Sequence, residues 1–259
     1  MSDLPDYDKL LKKKSSYAAK KILGFLLKEG KPLRPFKQEI VKKLNVCSKN
    51  TIHHHLNFLE LYNFIESAHP PIKLKYKTPL CWLANTPRVS FAYLGLLGER
   101  RYPVSETETA IELLKSDPNV GAKPEKIVVL TSQEVIGEWK DGISPEIKIT
   151  WETLSEEELN DIDKVEEFIK PKIIELMKNY ILIMDLTSGP RTAGLAYYEL
   201  ADQFKIPLIY VYYPKKRLRW LISKEKLMKE VGGVFYIESE EKGERGPLTT
   251  RIRKRGEIY

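Results

Sequence analysis

Long apolar runs and cysteines are scarce in this chain of 259 residues. No run of about 18 apolar residues occurs, as a membrane-spanning helix would need. The first residues, Met1 to Pro5, lack the basic-then-apolar layout of a secretory signal. The two cysteines, Cys47 and Cys81, cannot build a disulfide framework and form no C-x-x-C pair. We therefore expect a cytoplasmic protein, with no membrane partner, whose cysteines are structural thiols.

Several enzyme motifs are also missing. The sequence contains no Walker A loop, no G-x-G-x-x-G fingerprint and no H-E-x-x-H helix, which disfavours the common nucleotide and zinc enzymes. Histidine is limited to His53, His54, His55 and His69. Adjacent positions on a helix point about 100° apart, so the histidine triplet cannot converge on one ion. We expect neither a metal site nor a cofactor.

The positive charge of the chain is concentrated near its N-terminus. Residues 1–90 contain 17 Lys and Arg against 7 Asp and Glu, or 17 − 7 = +10, whereas residues 91–259 contain 26 against 29, or −3. A basic segment of this kind is typical of a nucleic-acid contact surface, because neutralised phosphates release condensed counterions. A solvated basic face is the alternative. Together with the chain length, this asymmetry predicts two domains, 1–88 and 89–259.

The basic segment has the apolar spacing of three helices. The first is expected over residues 15–28, ending before Gly30, and the second over residues 35–44. A turn at residues 45–47 precedes Ser48, a good N-cap for a third helix that runs to about Phe64. Two short helices across a three-residue turn predict a helix-turn-helix.

The third helix would be the recognition helix, and the stretch after it a β-wing. Lysines alternate with apolar residues in residues 73–77, and residues 80–83 would close the wing. Side chains at the start of a recognition helix meet base edges, and lysines of a wing meet phosphates. The DNA-contact candidates are Lys37, Ser48, Lys49, Asn50, Thr51, His53, His54, Lys73, Lys75 and Lys77.

The segment SKNTIHHHLNFLELYNFIES resembles archaeal and bacterial winged-helix transcription factors, and the resemblance covers residues 15–84. It implies a small α+β winged-helix domain that binds double-stranded DNA. Winged helices also mediate protein contacts, which is the alternative function for this segment.

From residue 89 onward, short apolar strands alternate with helical stretches. Strands are expected at residues 89–96, 126–131, 146–150, 180–185 and 207–213. Between them the pattern predicts helices, one of which starts with a capping box of Ser105 and Glu108. This alternation predicts an α/β fold, a Rossmann-like, mostly parallel sheet. Basic runs follow at residues 215–220 and 251–255, each read as a solvated surface strand or as a ligand or DNA contact.

The turn after the fourth strand is the segment with the most chemistry. Asp185 ends the strand, and Thr187, Ser188, Gly189, Pro190, Arg191 and Thr192 lead into the next helix. A loop at the carboxyl end of a parallel strand lies where open α/β sheets bind ligands, and amides that open a helix attract anions. The alternative is a purely structural strand-to-helix turn with Pro190 in the first helical turn.

This turn lies in ILIMDLTSGPRTAGLAYYELADQFKIPLIYVYY, which resembles the signature of CARF domains, the CRISPR-associated Rossmann-like sensors. The likeness extends to the first strand and its loop and covers roughly residues 89–215. It implies a pocket across the two-fold axis of a homodimer that binds a cyclic oligoadenylate or a related nucleotide. The ligand-binding candidates are Gly95, Leu96, Gly98, Arg100, Asp185, Thr187, Ser188, Gly189, Pro190, Arg191 and Thr192.

These features support three functional hypotheses. The first is a ligand-responsive, DNA-binding transcriptional regulator associated with CRISPR antiviral defence. The second is a metal-independent ring nuclease, in which Ser188, Arg191 and Arg100 would help a ribose 2′-hydroxyl attack its own phosphate. The third is a protein-contact module in a larger defence complex. The RNase motif found in many CARF proteins, Arg followed four to six residues later by His, is absent.

Overall fold

A six-stranded sheet forms the centre of the larger part of the chain. The computed structural model describes residues 4–12, 17–29, 49–139 and 142–234. The strands are β1 (Phe91–Leu96), β2 (Lys126–Thr131), β3 (Ile149–Thr153), β4 (Ile181–Asp185), β5 (Leu208–Tyr212) and β6 (Arg217–Ile222). Their order is β3-β2-β1-β4-β5-β6, and β1 to β5 are parallel whereas β6 is antiparallel to β5. The predicted α/β, Rossmann-like and mostly parallel sheet is confirmed.

The central strands are apolar because both of their faces are covered. All of β4 is buried, and so are five of the six residues of β1 and of β2. In the register of the sheet, Tyr93 lies between Ile127 and Ile183, and Gly95 lies beside Asp185. One side of the sheet packs Tyr93 and Val129 with Ile111, Leu114 and Trp139.

The helices of this part alternate with the strands. They are α5 (Glu106–Ser116), α6 (Gln133–Trp139), α7 (Glu156–Leu159), α8 (Ile162–Asn179) and α9 (Arg191–Phe204). The predicted capping box is present in α5, where the Ser105 hydroxyl accepts from the Glu108 amide and the Glu108 carboxylate accepts from the Ser105 amide. A second capping box at Ser155 and Glu158 starts α7.

The chain divides into two compact units at Arg88. One is Val89–Lys224; the other takes in the residues up to Arg88 and those from Glu225 onward. The second unit contains α1 (Tyr7–Lys12), α2 (Tyr17–Glu29), α3 (Lys49–Leu61), α4 (Leu80–Leu83) and α10 (Lys224–Val231), whose first residue lies at the boundary. Among the described residues, no helix combines the length and the apolar character needed to cross a membrane.

The described part of the basic segment is built around an apolar core. Helix α2 packs on α3, with Ile22 and Leu26 of α2 and Leu56 and Leu59 of α3 buried. After α3, the chain forms a short antiparallel pairing in which the Glu66 amide donates to the Lys73 carbonyl at 3.0 Å. The second helix expected at residues 35–44 lies outside the described residues, as do Lys37 and Ser48.

Residues 80–83 differ from the sequence expectation, since they form a short helix, α4, and do not extend the wing. All four side chains of α4 are buried, so this stretch lacks the exposed face that an alternating strand requires.

Candidate ligand-binding cleft

The loops that follow β1 and β4 meet at the carboxyl edge of the sheet. These strands are neighbours, but the chain continues from β1 towards β2 and from β4 towards β5, on opposite sides. Two loops that leave a parallel sheet in opposite directions leave a crevice between them, which is where open α/β sheets bind ligands. The topology therefore identifies this edge as the place to look for a site.

The two loops touch through small residues. The Gly98 amide donates to the Ser188 hydroxyl at 3.0 Å. A Cβ at Gly98 would lie 3.0 Å from the Gly189 nitrogen. Gly189 has φ +85°, and a Cβ there would lie 3.1 Å from the Leu96 Cβ. Both glycines are therefore required by the close approach of the loops, and Gly189 also by its left-handed backbone.

Asp185 lies beneath the contact between the two loops and accepts hydrogen bonds from residues next to it. Its Oδ2 accepts from the Tyr93 hydroxyl at 2.7 Å, and its Oδ1 accepts from both the amide and the hydroxyl of Thr187. The Thr187 hydroxyl in turn accepts from the Val211 amide at 2.8 Å. Burial raises the pKa of Asp185 to about 6, because the loss of hydration outweighs the hydrogen bonds that stabilise the carboxylate. Asp185 thus connects β1, the turn after β4 and β5 in one hydrogen-bonded network.

A cleft of about 560 Å³ opens above the two loops. Its volume is in the usual range for small-molecule sites. The lining consists of Leu97, Gly98, Glu99, Arg101, Tyr102, Glu106, Ser132, Glu134, Val135, Glu138, Glu156, Leu159, Thr187, Ser188, Gly189, Pro190, Tyr210, Val211, Tyr212 and Tyr213. We call Gly98 and residues 187–190 the loop lining, and Glu99, Glu106, Glu134, Glu138 and Glu156 the acidic lining.

The loop lining ends at the start of helix α9. Pro190 is the N-cap residue of α9, and its side chain makes no capping hydrogen bond. The first amides of a helix have no partner within the helix and carry the positive end of its dipole. This end of the cleft therefore offers main-chain donors to an anion, and Arg191, the first residue of α9, is not part of the lining.

The carboxylates of the acidic lining are in different environments. Glu138 accepts from the Arg100 amide at 2.9 Å. The main-chain amide of Glu134, followed by the Ser132 hydroxyl, lowers the pKa of the Glu134 carboxyl. Burial raises the pKa of Glu106. Within the described residues, no group of three or more metal-ligating side chains could hold an ion, so these carboxylates do not form a metal site there.

Tyrosines complete the cleft. The rings of Tyr102 and Tyr213 are stacked, with centroids 3.9 Å apart and an angle of 23° between the planes. The Tyr213 hydroxyl donates to the Val104 carbonyl at 3.1 Å, and this hydrogen bond holds the Tyr213 ring in position. Tyr102 is 38% exposed. The cleft therefore contains a flat aromatic surface next to its acidic lining.

Other predicted ligand-binding residues lie outside the lining. Gly95 and Leu96 are buried within β1, and a Cβ at Gly95 would lie 2.4 Å from the Tyr93 hydroxyl oxygen. Asp185 lies beneath the loops, with 1% of its surface exposed. These three residues shape the site from within the sheet.

The remaining predicted residues are directed elsewhere. The guanidinium of Arg100 lies 5.3 Å from the ring centroid of Trp139 and donates to the Glu138 carbonyl. Arg191 is exposed in the first turn of α9. The Thr192 hydroxyl donates to the Leu159 carbonyl at 3.0 Å. None of these three side chains lines the cleft.

The predicted DNA-contact residues that the structure describes lie in α3, in the pairing after it and, for Lys77, between that pairing and α4. Lys49, Asn50 and Thr51 form the first turn of α3. His53 is half-buried and His54 is exposed. Lys73 is exposed, Lys77 is half-buried, and the Lys75 ammonium donates to the Asn63 side chain at 2.6 Å.

Sequence reasoning missed Glu106, Tyr102 and Tyr213. A signal for Glu106 was present, since it precedes the buried Ala110 by four residues and therefore lies on the apolar side of α5. A charged residue in an apolar stripe is uncommon and indicates a special role or a partner. For Tyr213 the signal was three aromatic residues among 210–213, at the carboxyl end of β5, whereas no sequence signal pointed to Tyr102.

Several solved structures are similar to part of this chain. Three of them are Can2 from Sulfobacillus thermosulfidooxidans in complex with cyclic tetra-adenylate (16% identity, TM-score 0.34), protein VC1899 from Vibrio cholerae (10%, 0.35) and Enterococcus italicus Csm6 bound to cyclic hexa-2′-fluoro-hexa-dAMP (12%, 0.38). The likeness covers 51%, 52% and 56% of this chain, respectively. It covers 35%, 34% and 37% of theirs, so this chain spans about a third of each. No protein-family model and no curated protein sequence matches the chain.

Proposed function

We propose that this chain is a ligand-responsive DNA-binding regulator of the CARF type, and that its cleft binds a cyclic oligoadenylate or a related anionic nucleotide. The observation that carries the proposal is the meeting of the β1 and β4 loops through Gly98, Ser188 and Gly189 at the topological switch point of the sheet. The CARF-like sequence signature lies on the same two loops.

The chemistry of the loop lining supports a phosphate. Phosphates bind at helix N-termini because unpaired amides and the helix dipole both favour negative charge. Here the N-cap of α9 supplies no competing side-chain acceptor, and Ser188 adds a hydroxyl beside the two glycines. Gly189 has no Cβ at the point of closest approach, and its positive φ favours glycine there.

The size of the cleft supports a ligand shared between two copies. A cleft of about 560 Å³ accommodates a group of drug size, not a ring of four or six nucleotides. A two-fold symmetric ring fits an isologous dimer in which each copy presents the same loops. We therefore propose a homodimer with one cleft from each copy facing the ring.

The basic segment supports DNA as the second partner. The excess of ten positive charges in residues 1–90 provides the electrostatic attraction that DNA binding needs. Two neighbouring elements, α3 with its exposed His54 and the pairing with its exposed Lys73, would approach the duplex. In this proposal the ligand changes the spacing of two such segments and with it the affinity for the operator.

Calorimetry on the full-length chain tests the ligand. We expect cyclic tetra- or hexa-adenylate to bind at one ring per two chains, and linear tetra-adenylate to bind at least ten-fold more weakly because it lacks the symmetry of the dimer. Equal affinity for cyclic and linear forms, or no binding of either ring, would contradict the proposal.

The same protein samples distinguish a DNA-binding regulator from a ring nuclease. Selection from a random duplex library should give a palindromic site whose affinity changes when the ring is added and falls steeply with salt. Chromatography of the ring after incubation should show it intact. Linear products would favour the ring-nuclease alternative, and the absence of any specific duplex would favour the protein-contact alternative.

A further inference from the structure

One carboxylate of the acidic lining has an unmet hydrogen-bonding requirement. Glu106 is only 7% exposed, and its Oε2 is buried without a hydrogen-bond partner within the described part of the chain. The residue nevertheless lines the cleft. A buried acceptor without a partner costs free energy, and most such groups in native proteins are hydrogen-bonded to the protein, to ordered water or to a bound molecule.

The surroundings of Glu106 limit what this partner can be. The charge of Glu106 is near enough to raise the pKa of Asp185, and the charge of Arg101 opposes the effect of burial on the pKa of Glu106. An ionised Glu106 has no proton to donate, so another acceptor does not suit it, and a ligand phosphate would be repelled. A metal ion is also disfavoured, since no group of three ligating side chains is found among the described residues. A neutral N–H donor is the group that suits this position.

An aromatic surface lies beside the same carboxylate. Tyr213, which stacks on Tyr102, is near enough to Glu106 for the carboxylate to raise the pKa of its hydroxyl. Tyr102 and Glu106 both line the cleft. Nucleic-acid bases stack on such tyrosines, and their edges carry the hydrogen-bonding groups that distinguish one base from another.

We infer that Tyr102 and Glu106 form a base subsite, in which the ring of Tyr102 stacks on a base and the Oε2 of Glu106 accepts a hydrogen bond from its exocyclic amino group. This inference rests on the proposed function and specifies it. The loop lining holds the phosphate, and Glu106 selects a base with an amino group, as adenine has, over one without it. Glu106 is thus a specificity-determining residue.

The decisive comparison uses two rings and the unaltered full-length chain. Calorimetry compares cyclic tetra-adenylate with the same ring built from purine, which lacks only the amino groups. Because a hydrogen bond to an ionised acceptor is worth roughly ten- to a hundred-fold in affinity, we expect the purine ring to bind at least ten-fold more weakly. Equal binding overturns the inference and leaves the proposed function standing. If neither tetranucleotide ring binds, the comparison is repeated with the hexanucleotide rings, and binding of none of the four overturns both.

Two variants then assign the effect to Glu106. Glu106→Leu keeps a similar volume without an acceptor, and it should reduce the preference for the adenine ring to less than about three-fold. The thermal unfolding temperature of Glu106→Leu should be unchanged or raised, because an unpaired buried carboxylate is removed. Glu112→Leu, on the same helix but exposed, is the control and should retain the full preference. If Glu106→Leu retains it as well, the amino group is recognised elsewhere and the inference is wrong.

Discussion

The loop lining and the acidic lining of the cleft differ in how they would hold a ligand. The loop lining is uncharged and offers main-chain amides and the Ser188 hydroxyl, because the Thr187 hydroxyl already donates to Asp185, whereas the acidic lining contributes five carboxylates. A uniformly basic pocket would attract a nucleotide in any orientation. A pocket with donors on one set of residues and acceptors on another would fix the orientation of the nucleotide that we propose as its ligand.

The largest expected effect concerns the pH dependence of stability, and it compares Asp185, beneath the loop lining, with Glu106 of the acidic lining. A folded-state pKa of about 6 for Asp185, against an ordinary value of 3.8, means that the folded protein holds this proton more tightly than the unfolded chain. The resulting stabilisation is present below pH 4 and is lost as the pH rises to 6. It amounts to about 3 kcal/mol in the free energy of unfolding.

Urea unfolding at pH 4, 5, 6 and 7 measures this effect. Asp185→Asn should remove most of the loss between pH 4 and 6, and Glu106→Gln should remove a further part, because burial raises the pKa of Glu106 in the same direction. If Asp185→Asn keeps the wild-type slope, the network beneath the loop lining does not control this titration.

A pair of glycine substitutions should have the next largest effect and tests the loop lining alone. Gly189→Ala places a Cβ at φ +85° and 3.1 Å from Leu96, so we expect it to destabilise the protein by about 1–2 kcal/mol and to weaken ring binding. Gly194→Ala, five residues later within α9, meets nothing within 4 Å and should stabilise by about 0.5–1 kcal/mol. Unfolding by urea and calorimetry with cyclic tetra-adenylate measure both. If both substitutions change the free energy of unfolding in the same direction, the close approach of the loops is not required.

The smallest effect tests the acidic lining. Glu156 is exposed in the first turn of α7 and lines the cleft, whereas the neighbouring Glu157 is exposed but does not line it. Glu156→Gln should strengthen ring binding by about two- to five-fold at low salt and by less at high salt, because one repulsive charge is removed. Glu157→Gln should change binding less at either salt concentration. If Glu157→Gln changes ring binding more than Glu156→Gln does, the phosphates do not lie near Glu156.

Hydrophobic patterning predicted the sheet because its central strands are short apolar runs between turns. Residues 126–131 form β2 as expected, whereas the third strand lies at Ile149–Thr153 and not at 146–150. Edge strands carry less apolar signal, and β3 has no fully buried residue. Helices α6 and α7, with seven and four residues, are too short for a helical period to be distinctive.

Only part of the cleft could be predicted from the sequence. Gly98, Ser188 and Gly189 could be found because the ends of parallel strands share one edge of a sheet, although a ligand contact by these residues stays a prediction. The same reasoning did not reveal that Arg100 packs against Trp139, or that Tyr102 stacks on Tyr213. Such contacts join residues far apart in the chain, and local spacing contains no information about them.

The hydroxyl of Thr187 has a mechanical consequence. It donates to Asp185 and accepts from the Val211 amide, while Asp185 also accepts from Tyr93. The side chains of Asp185 and Thr187 therefore link three neighbouring strands, β1, β4 and β5, to the turn. A molecule that displaces this turn would load the hydrogen bonds to β1 and β5 as well, so its effect would not be confined to one loop.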